Sequence, residues 1–273
     1  MYLSLRNSRV KLSVGQIFWR EIGSGPNVVF LHGSWHDSSQ WLGVINSLSG
    51  DHHCLAPDLL GFGESEPDSR KIHYSIELEV ECLAEYLETL KLRQVYLVAH
   101  SVGGWIAASY ALKYSDRVLG LVLLAPEGVK VGYLRQRWQL ARWLGLLPPA
   151  VLGVLRSLSP VARVLGFQNK VDRLMQLKQG LLKSPTGSKL LFQRRRVEIQ
   201  GELLDDRLCW LKVPVLILQG SEDTAATLAL SQSYAALAPK AQLEAIGGGG
   251  HDLPQQLPDA IAQHIRKFLN QYY

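Results

Sequence analysis

Short stretches of mostly consecutive apolar residues alternate along the chain with longer stretches in which apolar residues recur every three or four positions. The clearest short stretches are residues 27–31, 53–56, 95–99, 118–124 and 213–218. Apolar runs of this length are typical of strands in a parallel sheet that is covered by helices on both faces. Their alternation with helical patterns predicts an α/β fold built from βαβ units around a mainly parallel sheet.

The same patterns predict the remaining elements. Residues 9–20 are expected to form two strands with a turn at Gly15–Gln16, and a last strand is expected over residues 242–246. Asp37 or Ser38 is the predicted cap of the first helix, and Ser75 is the predicted cap of the second. Helices are predicted over residues 38–48, from Ser75 to about Leu90, after Ser101, over residues 228–237 and over residues 258–270.

A long segment interrupts this alternation after the strand at residues 118–124. Residues 129–210 have a helical pattern that is rich in Leu, Arg and Trp, and they contain no convincing buried strand. We therefore predict a core domain of residues 1–127 and 212–273, with a helical cap of residues 128–211 inserted at the edge of the sheet where sites form.

Charge separates this insertion from the rest of the chain. Residues 128–212 carry 16 Lys and Arg against 5 Asp and Glu, whereas the whole chain of 273 residues has a net charge of +5. The imbalance indicates a surface of different character, but no recognised nucleic-acid motif accompanies it, and no nucleic-acid partner is predicted.

Three widely spaced cysteines suggest neither a disulfide framework nor a metal site, which favours a reducing, cytoplasmic compartment. The first residues lack the pattern of a signal peptide. No run of 18 apolar residues occurs, so no spanning helix is predicted.

Candidate chemistry begins at the end of the strand at residues 95–99. The stretch from Ala99 to Gly103 has the form small–x–Ser–x–Gly and leads from a buried strand into a helix. A sharp turn of this kind exposes a serine hydroxyl, here that of Ser101, while small neighbours avoid collisions with adjacent elements. His100 is predicted to be structural.

Polar residues also follow three other predicted strands, and their order along the chain is informative. His32 and Gly33 follow the strand at residues 27–31, Asp223 follows the strand at residues 213–218, and His251 comes after a run of four glycines. With Ser101, these features resemble the α/β-hydrolase family over essentially the whole chain, in the family's order of Ser, Asp and His.

The resemblance implies an eight-stranded, mainly parallel α/β-hydrolase sheet, flanked by helices, with the cap inserted after the sixth strand. It also implies that Ser101 is the nucleophile, His251 the base and Asp223 the acid of a catalytic triad. The backbone N–H groups of Ser34 and Val102 would form the oxyanion hole. Some relatives carry the acid one strand earlier, so Glu127 stays open as the alternative.

The sequence departs from the family pattern at two positions, and the expected structural effects differ. Ala99 replaces the more common glycine and is tolerable, whereas Gln256 replaces a glutamate and is expected to weaken a local hydrogen bond. A serine nucleophile disfavours the family branches that use aspartate. No metal cluster and no phosphate or dinucleotide motif is present, and no cofactor is predicted.

The family's cap sets the substrate, and the apolar residues of this one favour a small-molecule substrate, an ester with a mainly apolar acyl or alcohol part. Trp35, Trp138 and Trp143 are the candidate substrate-binding residues. The basic cap also suggests weak peripheral contact with a membrane, through Arg135, Arg137, Arg142 and Arg156. The alternative is that the apolar residues of the cap pack on the core domain and the arginines form a solvated face.

The expected function is that of a serine hydrolase acting through an acyl-enzyme. The alternatives are a C–C bond hydrolase, a lactonase, a ligand-binding receptor built on a slow triad, and a haloperoxidase-like side activity. They share the fold and triad, so these features do not separate them.

Overall fold

The computed structural model describes residues 4–69, 72–130, 143–144, 147–148, 150–164 and 166–272. The described residues form one mixed, mainly parallel sheet of nine strands with helices on both faces. The strands are β1 (Arg6–Leu12), β2 (Gly15–Ile22), β3 (Asn27–Leu31), β4 (His53–Pro57), β5 (Glu66–Pro67), β6 (Val95–His100), β7 (Val118–Leu124), β8 (Val215–Gly220) and β9 (Ala241–Ile246).

Eight of these strands lie side by side in the order β1-β2-β4-β3-β6-β7-β8-β9, and β5 pairs with the first two residues of β2. β2 pairs antiparallel with β1, β4 and β5, and every other pair in the sheet is parallel. The carboxyl ends of β3, β6 and β8 therefore meet at one edge, which is where Ser34, Ser101 and Asp223 follow their strands.

The helices fall into two groups, those between or after the other strands of the sheet and those between β7 and β8. The first group is α1 (Leu42–Leu48), α2 (Ile76–Thr89), α3 (Val102–Lys113), α8 (Ala225–Leu237), α9 (Leu253–Gln256) and α10 (Pro258–Gln271). The second is α4 (Val151–Val164), α5 (Gln168–Lys183), α6 (Pro185–Phe192) and α7 (Arg196–Glu202).

Alternate residues of the central strands belong to two separate hydrophobic clusters. Val29 and Leu97 lie in the cluster that α2, α3 and α8 cover, whereas Val28 and Tyr96 lie in the one that α1 and α10 cover. Because both faces are buried, the sequence of such a strand shows an apolar run rather than an alternation. The fully buried β6 thus holds Ser101 at a fixed place in the middle of the sheet.

Most predicted elements are confirmed, with two corrections. The predicted turn at Gly15–Gln16 is wrong: residues 13–14 form the turn, and Gly15 begins β2. A Cβ on Gly15 would lie 2.4 Å from the carbonyl oxygen of Glu66, so this glycine admits β5 rather than bending the chain. β5 itself was not predicted, because two residues that include a proline leave no periodic pattern.

Candidate active site

Ser101 occupies a strained turn between β6 and α3. Its φ of 52° and ψ of −115° fall in a region that residues with a Cβ rarely adopt, and the residue is buried. Such strain costs about 1–3 kcal/mol and persists only where the surroundings enforce it. Here they do, because Ser101 N–H donates to the Leu124 carbonyl and the Ser101 carbonyl accepts from Gly104 N–H and Glu127 N–H.

Glycines allow the neighbouring backbone to approach this turn. A Cβ on Gly103 would lie 2.6 Å from the carbonyl oxygen of Leu31, at the end of β3. A Cβ on Gly33 would lie 2.6 Å from His100 Nδ1 and 3.4 Å from the Cβ of Ser101. The Gly33–Ser34 loop therefore packs directly against the residues at the tip of the turn.

The structure brings His251 and Asp223 together. His251 Nδ1 lies 2.9 Å from Asp223 Oδ2, and the side chain of Asp223 is only 3% exposed. Burial alone would raise the pKa of Asp223, but hydrogen bonds led by the one from His251 hold that pKa well below its usual range. An ionised Asp223 fixes the proton of His251 on Nδ1 and leaves the Nε2 lone pair available.

Two residues that the sequence analysis missed support this carboxylate. Gln219 Nε2 donates to Asp223 Oδ2 at 3.1 Å, and Ser231 Oγ donates to Gln219 Oε1 at 2.7 Å. Both side chains are buried. Thr224 N–H also donates to Asp223 Oδ1, at 2.6 Å. In the sequence, the one indication of these hydrogen bonds to Asp223 is that the polar Gln219 stands near the end of an otherwise apolar strand.

The glycine-rich loop before His251 lies closely against the end of β8. A Cβ on Gly220 would meet the carbonyl oxygens of Gly250 and Gly249 at 2.3 and 2.4 Å. Gly250 N–H donates to Gln256 Oε1 at 2.7 Å, so the hydrogen bond that we expected Gln256 to weaken is present with good length. An amide oxygen accepts from a backbone N–H as a carboxylate oxygen does, so Gln256 can make this bond in place of a glutamate.

His251 lies beside His100, the residue that precedes Ser101. The ring centroids of the two histidines are 4.9 Å apart, and His100 Nε2 lies 3.0 Å from the His251 carbonyl oxygen. Among the hydrogen bonds of the described residues, none joins the Ser101 hydroxyl directly to His251. Such bonds are often longer in a free enzyme and shorten when the substrate binds.

Two amides near Ser101 have no partner within the described part of the chain. Val102 N–H begins α3, where the first N–H groups have no acceptor inside the helix, and Ser34 N–H lies in the loop after β3. The neighbouring Gly33 N–H instead donates to Gln40 Oε1 at 3.1 Å. The two amides named by the sequence analysis are therefore among the amides near Ser101 without an acceptor in the described part of the chain.

His32 orders the loop that carries Ser34. Leu59 N–H donates to His32 Nε2 at 3.0 Å, so Nδ1 carries the proton and donates to the Gly33 carbonyl at 2.8 Å. Burial lowers the pKa of His32, which keeps this ring neutral.

The candidate substrate-binding residues occupy different surroundings. Trp35 is half-buried and stacks on Phe192, with ring centroids 6.0 Å apart and planes 23° apart. Trp143 is 69% exposed and so faces solvent. Trp138 lies outside the described residues.

Part of the insertion contacts the loops around Ser34. In α6, a Cβ on Gly187 would lie 2.5 Å from the Ser34 carbonyl oxygen, and Thr186 Oγ1 donates to the Gly61 carbonyl at 2.7 Å. With the Trp35–Phe192 stack, these contacts bring α6 to the edge of the sheet that carries Ser101. The alternative acid, Glu127, is buried near the start of the insertion, and its carbonyl accepts from the Tyr234 hydroxyl at 2.6 Å.

The described residues contain no group of three or more His, Cys, Asp or Glu side chains placed to bind a metal ion. No helix among them is both long and apolar enough to cross a bilayer.

Comparison with known proteins gives the same fold over most of the chain. The family model for the alpha/beta hydrolase fold matches residues 26–254. The uncharacterised hydrolase YugF of Bacillus subtilis is 27% identical over 248 residues, which cover 89% of each chain. The 2-hydroxy-6-oxo-2,4-heptadienoate hydrolase of Pseudomonas putida is 37% identical over 112 residues, 40% of each chain.

A solved structure of a thermophilic esterase from Thermogutta terrifontis superimposes with a TM-score of 0.74 at 23% identity. The match covers 97% of this chain and 99% of the esterase. Identity at this level shows a shared fold.

Proposed function

The chain belongs to the α/β-hydrolase family and is a hydrolase, and from that premise we propose that it cleaves carboxylic esters through an acyl-enzyme on Ser101. One observation above all supports this function. A serine is held at φ 52° before a buried helix, and the residue beside it binds the backbone of a histidine that is paired with a buried carboxylate. Strained, buried turns of this kind are concentrated at active sites.

Acylation begins when Ser101 Oγ attacks the ester carbonyl carbon. His251 Nε2 accepts the hydroxyl proton and then donates it to the alcohol oxygen as the C–O bond breaks. Asp223 holds the Nδ1 proton and stabilises the imidazolium that forms. The Ser34 and Val102 amides would bind the oxyanion, and loss of one such donor typically costs about 2.7–4 kcal/mol of the barrier reduction.

Deacylation repeats the same steps with water. His251 Nε2 removes a proton from the water, the hydroxide attacks the acyl carbon, and the proton returns to Ser101 Oγ as the carboxylic acid leaves. No resident metal or cofactor is needed for either half of this reaction.

An apolar acyl or alcohol group would bind beside Trp35. Trp35 follows the oxyanion-loop residue Ser34 directly, and Phe192 of α6 extends its aromatic surface. On this proposal residues 128–211 act as a cap whose α6 forms one wall of the substrate site. Membrane contact through the basic cap stays a prediction, because Arg135, Arg137 and Arg142 lie outside the described residues.

The nucleophile is tested with a fluorophosphonate probe and p-nitrophenyl esters. We expect the wild type to react with the probe and the Ser101→Ala variant to lose both labelling and ester turnover. Ser109→Ala is the matched control, because Ser109 lies in the same helix and its buried hydroxyl has no partner in the described part of the chain. Equal labelling of wild type and Ser101→Ala would exclude Ser101 as nucleophile. A series of acyl chains from acetate to laurate then measures the depth of the apolar site.

A C–C bond hydrolase is the second candidate function. It is favoured by the 37% identity to the heptadienoate hydrolase over 112 residues. The two functions are separated by kcat/KM for p-nitrophenyl butyrate against kcat/KM for 2-hydroxy-6-oxo-2,4-heptadienoate. A higher value for the dienoate would assign the C–C reaction to the same triad.

A further inference from the structure

Three hydrogen bonds, two of them buried and one partly buried, connect the loops that carry Ser34, Ser101 and His251. Gly33 N–H donates to Gln40 Oε1 at 3.1 Å, and Gln40 Nε2 lies 3.0 Å from His100 Nδ1. His100 Nε2 in turn lies 3.0 Å from the carbonyl oxygen of His251. Gln40 and His100 are 2% and 1% exposed, so water has little access to their side chains.

The direction of all three bonds is fixed by chemistry. A backbone N–H can only donate, so the oxygen of the Gln40 amide faces Gly33 and its NH₂ group faces His100. His100 Nδ1 must then accept, and the single proton of the neutral ring lies on Nε2, where it donates to the His251 carbonyl. Burial, with the nearby His251, lowers the pKa of His100 to about 3, which keeps the ring neutral.

We propose that Gln40 and His100 are positioning residues that fix the oxyanion loop and the base loop relative to Ser101. This inference rests on the function proposed above. Gln40 accepts a hydrogen bond from Gly33 N–H and so fixes the orientation of this loop. The next amide, that of Ser34, then faces the substrate. His100 is bonded through its own backbone to Ser101 and holds the His251 backbone with its side chain.

The position of the Gly33 loop supports a role beyond packing. Because a Cβ on Gly33 would lie 2.6 Å from His100 Nδ1, the loop lies directly on this ring. A shift of His100 would therefore move the oxyanion loop and the base loop together. Geometry at reacting atoms must hold within about 0.5 Å, so these bonds contribute to kcat rather than to ground-state binding.

The first experiment is a double-mutant cycle on ester hydrolysis. We expect Gln40→Leu and His100→Leu each to lower kcat by about 10–100-fold with KM changed by less than about twofold. If the two side chains act as one unit, the double variant loses little more than the worse single variant. His100→Gln, whose amide nitrogen can take the place of Nε2, is expected to recover part of kcat.

The matched control is His52→Leu, since His52 is also a buried histidine but lies before β4, at the opposite edge of the sheet. We expect it to leave kcat unchanged. Multiplicative losses in the double variant, or equal losses of kcat and stability in His100→Gln and His100→Leu, would overturn the positioning role.

The second experiment does not depend on hydrolysis. Hydrogen–deuterium exchange is measured on peptides that cover residues 30–36 and 247–252 in the wild type and in Gln40→Leu. We expect faster exchange in both segments, although Gln40 contacts only the first directly. Unchanged exchange at residues 247–252 would overturn the connection. Faster exchange in a protein without esterase activity would retain the connection and reject the proposed function.

Discussion

Asp223 and Glu127 are both buried or partly buried acids at the active-site edge, and their surroundings give them different chemistry. Asp223 accepts hydrogen bonds from His251, Gln219 and Thr224, and these keep its pKa low despite burial. Glu127 contributes its backbone, which binds the Ser101 carbonyl and the Tyr234 hydroxyl. The geometry therefore supports Asp223 as the acid of the triad.

Substitution of each acid by its amide tests this assignment. We expect Asp223→Asn to lower kcat for p-nitrophenyl butyrate by about 10³–10⁴-fold, because an amide nitrogen would favour the wrong tautomer of His251. Glu127→Gln is expected to change kcat by less than about fivefold. Steady-state kinetics of both variants decide the matter, and the opposite ranking would transfer the role of acid to Glu127.

At the scale of elements, α6 joins the insertion to the oxyanion loop. Ser184 caps this helix by accepting from Gly187 N–H, and Gly187 lies against the Ser34 carbonyl. The helix can approach this closely only because residue 187 has no side chain.

A methyl group at residue 187 is therefore expected to displace α6 from the loop. Its Cβ would meet the Ser34 oxygen at 2.5 Å and Trp35 at 3.2 Å, so we expect Gly187→Ala to lower both the melting temperature and kcat/KM. Gly201→Ala is the matched control, since nothing lies within 4 Å of a Cβ there and alanine favours a helix by about 0.8–1.0 kcal/mol. Thermal unfolding and ester kinetics of both variants provide the measurement. If Gly187→Ala changes the melting temperature and kcat/KM no more than Gly201→Ala does, α6 does not determine the position of the Ser34 loop.

What the sequence predicts well are features with a short-range physical cause. The apolar runs of β3, β6, β7 and β8 identify a buried parallel sheet. Asp37 caps the short 3₁₀ helix Ser38–Trp41 that precedes α1, and Ser75 caps α2. The order of Ser101, Asp223 and His251 along the chain is visible in the same way.

What the sequence misses depends on contacts between distant parts of the chain. Gln40 is 60 residues from His100, and His100 bonds to a residue 151 positions away. Gln40 belongs to no motif, and His100 occupies a variable position of the Ala99–Gly103 stretch, so only the folded arrangement shows that they meet. The misplaced turn at Gly15 has the same origin, because the residue that requires this glycine is Glu66.

At the scale of the whole molecule, one buried acid makes stability depend on pH. Glu79 of α2 is 1% exposed, and burial raises its pKa to about 8 despite a hydrogen bond from Leu60 N–H. Between the usual pKa of 4.5 and this value, the folded protein holds a proton that the unfolded chain has released. Folding stability from this group is complete below the lower pKa and falls as pH rises across that interval.

Removal of this titration should flatten the pH dependence. We expect wild-type protein to lose roughly 2–4 kcal/mol more unfolding free energy between pH 5 and pH 8 than Glu79→Gln does. Urea unfolding at both pH values measures the difference. Glu88→Gln, an exposed position in the same helix, serves as control. Parallel profiles for wild type and Glu79→Gln would show that Glu79 ionises in the folded protein as it does in the unfolded chain.

The unusual backbone of Ser101 also has a consequence for engineering. Glycine adopts φ 52° and ψ −115° without steric strain, whereas serine and alanine do not. We expect Ser101→Gly to melt at a higher temperature than both the wild type and Ser101→Ala, with a net gain of about 1 kcal/mol, while it has no turnover. A library of variants selected for thermal stability alone would therefore be enriched in the inactive Ser101→Gly variant. Selection for stability in this protein has to be combined with an assay of ester hydrolysis.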